Sequence, residues 1–396
     1  MIEPRTTEKV NTRRLMSSAC AGMFVFGIVM AILGAILPGL FARVGFDKGA
    51  AGNLFLYMNF AMLLMSLFFG PIVDRFGFKV LLVVCSLLVA GAFLLLSLSS
   101  TYSLILIAAV ILGFGGGGLN GGTNTLTSDI HDAEKRGSAM NVLGIFFGFG
   151  ALTIPFLIGV LVELLGLGKI LILATFLSLV PFVLFLLFKF PGGKQARGFP
   201  LKEAAGIGRN PLLWLCGFLL FFQSGNEFTI GGWISTYLQE SFKIRPAAAA
   251  LVLAGYWAAI MAGRLVSSRI VRVLRNGRLV LVSAGLALAA AVLLRSAPSG
   301  ALAAFAAVLI GLGFAAIYPT TLAVVGESFP AFSGTAFSVV IAIGLCGGMI
   351  SPWLAGKIAQ TSGLRQGLFL PVLNCAMIIL LQLMIMSVIK KRRSSP

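Results

Sequence analysis

Glu227 is the one acidic residue placed deep in an apolar stretch of this chain, about halfway along FFQSGNEFTIGGWISTYL, residues 221–238. An ionised carboxylate at the centre of a bilayer is costly, so it must face a bundle interior or a wet cavity, and it is a functional candidate by default. Gln223 and Asn226 place amide donors and acceptors beside it. The chemistry on offer is ion coupling with solute binding. A buried carboxyl can take and release a proton, or ligate sodium together with carbonyl oxygens and Asn226. The plain alternative is a neutral, hydrogen-bonded packing residue. Gly225, Gly231 and Gly232 predict a break in this helix, and Trp233 and Tyr237 add amphipathic rings toward its far end. No metal-ligand cluster, nucleophile–base pair or cofactor motif stands out, so catalysis is not expected. The glycine run GFGGGGLNGGTNTL, Gly113 to Leu126, lacks the Lys-Ser/Thr ending of a phosphate loop and lies inside an apolar helix.

The elements that position these residues are membrane helices. The 396 residues are 59% hydrophobic and 11% charged, and the mean hydropathy of +1.03 excludes a soluble globular domain. Charges cluster in islands between apolar runs long enough to cross a hydrocarbon core as helices. Spans are expected at about 15–43, 49–73, 80–98, 101–129, 138–164 and 168–189, then 211–240, 247–273, 278–296, 300–326, 333–360 and 366–389. The net charge of +18 does not point to nucleic acid, because of where the charge sits. Arg5, Lys9, Arg13 and Arg14 precede the first span, Lys390 to Arg393 follow the last, and Lys194, Arg197 and Lys202 fill the central loop. Arg264, Arg269, Arg272, Arg275 and Arg278 crowd a later loop. All fall on one membrane face, which predicts a multi-pass plasma (bacterial inner) membrane protein with both termini cytoplasmic. The run Leu15 to Leu40 is too long for a signal h-region and reads as a retained first helix. The five cysteines read as small buried side chains, and His131 as a solvated loop residue.

An internal repeat sets the architecture. At an offset of 197, Gly137 matches Gly334, Gly150 matches Gly347, Pro155 matches Pro352, Gly159 matches Gly356 and Gly166 matches Gly363. Helices 4 and 10 match at an offset of 196, pairing Gly115 with Gly311, Gly117 with Gly313 and Asn124 with Thr320. The expected fold is all-α, with twelve helices in two pseudo-symmetric halves, residues 1–190 and 211–396, joined by a cytoplasmic linker at 191–210. Parallel repeats of this kind put a solute site between the halves near the midplane. Candidates for that site are Asn120, Asn124, Gln223, Asn226, Glu227, Trp233, Tyr256, Trp257, Tyr318 and Thr321. Amides and a carboxylate meet hydroxyls, and aromatic faces cover the apolar side of a pyranose, so a monosaccharide suits the mixture.

GPIVDRFGFK, Gly70 to Lys79, resembles the loop 2–3 signature G-x-x-x-D-[RK]-x-G-[RK]-[RK] of the major facilitator superfamily, with Phe78 in place of one basic residue. NEFTIGGWISTYL, GFAAIYPTTL and GGMISPWLAGK resemble the fucose–galactose–glucose:proton symporter group. The resemblance implies alternating access, with Asp74 bracing the inner gate near Ser333, Arg75 beside it, and Arg264 playing the matching part in the second half or pairing with Glu327 or Asp129. It also implies coupling acids in helices 1 and 4, yet those positions here are Gly34 and Asn120. Glu227 is left as the ion-coupling candidate for a proton or sodium, unless the protein is an uncoupled facilitator. The apolar first helix and 33 phenylalanines leave open an exporter of amphiphilic or drug-like compounds, and a transporter-like receptor is a further class. A bundle of this size can work as a monomer.

Overall fold

The computed structural model describes residues 11–191, 210–329 and 333–394. Most of the expected linker, residues 192–209, lies outside the described residues, as do the side chains of Arg272, Arg275, Ser333, Arg392 and Arg393. The first half contains α1 (Thr12–Val44), α2 (Lys48–Leu98), α3 (Tyr102–Asp129) and α4 (Ala133–Leu187). The second contains α5 (Pro211–Phe242), α6 (Pro246–Ser296), α7 (Gly300–Phe314), α8 (Ile317–Ser328), α9 (Ser333–Ser362), the short α10 (Leu364–Gly367) and α11 (Phe369–Ser394). Polar caps mark where these helices start. Asn11 accepts from the Arg14 N–H and Asp47 from the Ala50 N–H, and Asn210 accepts from the Leu212 N–H with Pro211 in the first turn.

Three helices are too long for one crossing. At 1.5 Å per residue, the 51 residues of α2 reach about 76 Å, against a hydrocarbon core of about 30 Å. α2 turns back at Gly77 (φ 81°, ψ 164°), and α4 turns at Gly166 (φ 72°, ψ 162°). Both lie in a backbone region open essentially to glycine alone. α6 divides into apolar spans Pro246–Ser267 and Asn276–Ser296. Nine stretches among the described residues are apolar and long enough to cross a membrane. α5 is not among them, because Gln223, Asn226 and Glu227 lower its hydropathy. With α5 added, and with α2 and α4 divided at their glycines, the described residues give twelve crossings.

The expected break in α5 is not found. The helix runs unbroken from Pro211 to Phe242, and its glycines serve close approach instead: Gly225 packs on Ser351, Gly231 on Gly34 and Gly232 on Phe55. The break lies between α7 and α8, at Ala315 and Ala316. Pro319 explains it, since it lacks an N–H and its ring crowds the carbonyl four residues earlier, that of Ala315.

The two halves repeat in geometry as well as in sequence. Gly363 (φ 84°, ψ 160°) copies the backbone of Gly166. Gly113 packs on the carbonyl of Met58 and the methyl of Ala61, while Gly311 packs on the carbonyl of Tyr256 and the methyl of Ala259. Gly115 lies on Val89, as Gly313 lies on Ala287. The register between these helices is therefore 198 (Gly113 to Gly311), two residues away from the expected 196. A run of glycines matches itself at several offsets, so identity alone could not fix it.

The halves are held together at the end of the bundle remote from the described termini. Lys48 Nζ pairs with Glu240 Oε2 at 2.9 Å, and Arg245 Nη1 with Glu163 Oε1 at 3.9 Å. Gln360 Nε2 donates to Asp47 Oδ2 at 3.1 Å, and Trp353 Nε1 donates to Asn53 Oδ1 at 3.1 Å. Lys48 and Arg245 are repeat partners, as are Glu163 and Gln360, so the latch has the symmetry of the fold. Below it, Gly52 packs on the Trp353 carbonyl and Gly356 on the Lys48 carbonyl.

Candidate functional site

Gln223 and Glu227 stand four residues apart on α5 and so share a face. Gln223 Nε2 donates to Glu227 Oε1 at 2.9 Å, and also reaches the carbonyl of Phe314, the last residue before the α7–α8 break, at 3.4 Å. Tyr256 on α6 donates its hydroxyl to the Glu227 main-chain carbonyl at 3.4 Å. Gln223 and Tyr256 are fully buried, and Glu227 is half-buried as a residue. Tyr318, half-buried and just past the break, lies within Coulombic range of Glu227.

Arg264 also belongs here. Its guanidinium is within Coulombic range of Glu227, Tyr256 and Tyr318 yet makes no direct ion pair with Glu227. It lies 6.0 Å from the centre of the Phe147 ring, and its Nε is buried with no hydrogen-bond partner among the described residues. Glu327, the partner considered from sequence, accepts instead from Asn276 Nδ2 at 3.1 Å. Phe147 comes from α4, in the other half, and meets Trp257 edge-on at 6.4 Å. Trp257 Nε1 and Gln223 Oε1 are likewise buried without hydrogen-bond partners among the described residues. Gln223, Glu227, Tyr256, Trp257, Arg264, Phe314 and Tyr318 thus form one connected cluster, capped by Phe147 across the interface between halves.

The remaining expected site residues lie elsewhere. Asn226 is fully buried and donates to Cys375 Sγ at 3.4 Å, because one residue along a helix turns its side chain about 100° away from Glu227. Trp233 is a packing residue, donating to the Pro352 carbonyl at 3.0 Å with its ring 5.9 Å from that of Phe55. Thr321 is buried and bonds back to the Ile317 carbonyl. Asn124 Nδ2 donates to both the carbonyl and the Oδ1 of Asn120 at 2.8 Å, and both residues are half-buried on α3. Neither meets the Glu227 cluster in any hydrogen bond among the described residues.

At the gate, Asp74 makes no hydrogen bond or ion pair among the described residues. Arg75 lies over the Phe76 ring at 5.2 Å, and Lys79 Nζ donates to the Leu186 carbonyl at 2.7 Å. A cavity of about 620 Å³ opens near the termini, lined by Arg13, Met16, Cys20, Phe24, His131 and Phe146 among others. His131 is half-buried there, with Nδ1 2.9 Å from the Thr127 carbonyl, so it is more enclosed than a loop position implied. The sequence reading missed Phe147 and Phe314 and left the depth of Arg264 open. One signal existed: Arg264 is seven residues, two turns, from Trp257, which puts both on one face.

Two pseudo-symmetric bundles, latched at one end and meeting around a polar cluster at mid-depth, define a multi-pass membrane transporter. The chain matches the Major Facilitator Superfamily over residues 19–300 and again over 213–396, and it belongs to that family. It is 24% identical over 419 residues to Bypass of stop codon protein 6 of Saccharomyces cerevisiae, covering 96% of this chain and 83% of that one. Its fold is similar to the crystal structure of a nucleoside transporter NupG mutant, with a TM-score of 0.76 and 16% identity over 95% of this chain and 99% of that one. It is also similar to a D-xylose-proton symporter, with a TM-score of 0.77 and 16% identity over 94% of this chain and 97% of that one.

Proposed function

We propose that the protein moves a small polar organic solute, a monosaccharide, across the membrane by alternating access, with Glu227 coupling the movement to protons. The observation that carries this reading is the intramembrane Glu227 carboxylate held by Gln223, with Arg264 within Coulombic range and no ion pair between them. A solute hydroxyl can donate to one group and accept from the other, and Trp257 supplies an aromatic face. The likeness in fold to a D-xylose-proton symporter agrees with this reading, as does the resemblance of the α5 and α9 motifs to the fucose–galactose–glucose:proton symporter group. We read the ends that bear the termini as cytoplasmic, from their basic residues, and the membrane as a bacterial inner membrane. The latch at the opposite end, with Asp74 unengaged among the described residues, then corresponds to a state open inward. A single bundle of this size can work as a monomer.

A second reading has its own observation. The cavity near the termini has Met16, Cys20, Ala21, Phe24 and Phe146 in its lining beside Arg13, which suits an exported amphiphile. Uptake of radiolabelled hexoses and deoxyhexoses into proteoliposomes separates the two. With an imposed proton gradient the wild type concentrates a hexose, while Glu227→Gln only equilibrates it. Equilibration by the wild type under every gradient, sodium included, makes the protein a facilitator. No entry of any sugar refutes the solute assignment in favour of amphiphile export.

A further inference from the structure

Three buried polar atoms in the Glu227 cluster have no hydrogen-bond partner among the described residues: Arg264 Nε, Trp257 Nε1 and Gln223 Oε1. Buried polar groups are almost always satisfied, and unsatisfied ones gathered in one place ask for a ligand or water. Two of the three are donors on one face of α6, and one of those donors belongs to a cation. Both side chains meet the same Phe147 ring. The third atom is an acceptor on α5.

Resting on the transport reading above, we propose that the solute carries a carboxylate beside its hydroxyls, as a sugar acid does, with Arg264 and Trp257 receiving the carboxylate and Gln223 Oε1 accepting from a hydroxyl. Charge decides between this solute and a neutral sugar. The groups around Glu227 among the described residues are Gln223, Arg264, Tyr256 and Tyr318. With Glu227 ionised, the cluster holds one negative and one positive charge. When Glu227 takes a proton, Arg264 is left as an uncompensated cation in a low-dielectric site, which is costly. A neutral sugar supplies hydrogen bonds but no charge, whereas a carboxylate restores neutrality. The proton and the anion each make room for the other, so one proton accompanies one anion and the step moves no net charge. Phe147, from the opposite half, lies on Arg264 and Trp257, so occupation of this face is registered at the surface where the halves move.

The test uses the full chain in proteoliposomes with radiolabelled D-glucuronate and D-glucose. Under an inward proton gradient, glucuronate uptake should exceed glucose uptake by about tenfold or more, the scale of a charged hydrogen bond. A potassium–valinomycin potential should leave glucuronate uptake unchanged. Arg264→Gln should lower the glucuronate-to-glucose ratio by about tenfold or more, with Arg264→Lys falling between. Should Arg264→Gln fail to fold, the wild type and Arg264→Lys decide through thermal melts: glucuronate should raise the wild-type midpoint more than glucose does, and the difference should shrink in Arg264→Lys. Equal handling of the two sugars, or a ratio untouched by substitution at Arg264, overturns the anion assignment and leaves the polar-solute reading standing. If neither sugar is taken up or shifts the midpoint, both readings fall.

Discussion

Gly150 on α4 lies so close to the carbonyl of Phe24 on α1 that a methyl group added there would collide with it. Gly347 meets the carbonyl of Phe221 in the same way, and both members of the second pair lie 197 residues after the first. Each half thus repeats this backbone-on-backbone contact, which only glycine permits. Gly150→Ala and Gly347→Ala should each destabilise by about 1–3 kcal/mol, the usual cost of overpacking. Thermal melts of the purified protein in detergent check this. A midpoint unchanged in both variants would show that the contact does not organise the halves.

The latch residues differ in how well they are protected from solvent. Trp353 Nε1 to Asn53 Oδ1 is a part-buried bond across the halves. Lys48 and Glu240 are 26% and 42% exposed, and Arg245 and Glu163 are 81% and 62% exposed. Exposed ion pairs contribute about 0–1 kcal/mol and are screened by salt. Trp353→Phe should therefore shift the closed state the most, by up to about tenfold in population for a net bond of about 0.5–1.5 kcal/mol. Glu240→Gln should do less, and Glu163→Gln almost nothing. Hydrogen exchange in peptides spanning 48–58 and 349–360 reads this order, and a larger effect from Glu163→Gln than from Trp353→Phe would contradict it.

Positive-φ glycines separate into two kinds. Gly45 ends α1 at φ 71°, ψ 38°, with nothing within 4 Å of an added Cβ. That is the left-handed helical region, which asparagine also tolerates. Gly166 and Gly363 sit near ψ 160°, where only glycine is at ease. Gly45→Asn should leave the melting midpoint nearly unchanged. Gly166→Ala and Gly363→Ala should each cost about 1–3 kcal/mol, although both sites have open space around them.

The spans were legible in the sequence because charged islands bound them: α5 begins at Pro211 and α3 ends at Asp129, as the apolar runs indicated. What was not legible depended on neighbours. Pro319, not the α5 glycines, breaks a helix, because a missing N–H disrupts a helix directly while glycine can equally serve packing. Asn226 sits next to Glu227 in sequence but turns to Cys375. Trp233 resembles a ligand-facing aromatic, yet its N–H is taken by the Pro352 carbonyl. Arg264 was legible as a gate candidate of open depth, since its depth depends on where α6 crosses and on Phe147 from the other half. Residue type pointed to Glu227 and its helix; the partners outside that helix come from four others, α4, α6, α7 and α8.

Glu227→Gln gives the sharpest expected change. If the carboxyl must be protonated for the loaded protein to cross between states, raising the pH on the side of uptake lowers the loaded fraction, and net uptake by the wild type falls as that pH rises. Glutamine keeps the shape and can still bond to Gln223, but it resembles the protonated carboxyl at every pH. The variant should therefore exchange labelled solute across equal concentrations at a rate independent of pH, and should lose accumulation against a gradient entirely. Arg264, deprived of its nearby negative charge, should then hold an anionic solute more tightly, so the apparent KM for glucuronate exchange should fall while turnover slows. A pH profile unchanged by Glu227→Gln would remove this residue from coupling and leave the intramembrane acid as a structural partner of Gln223.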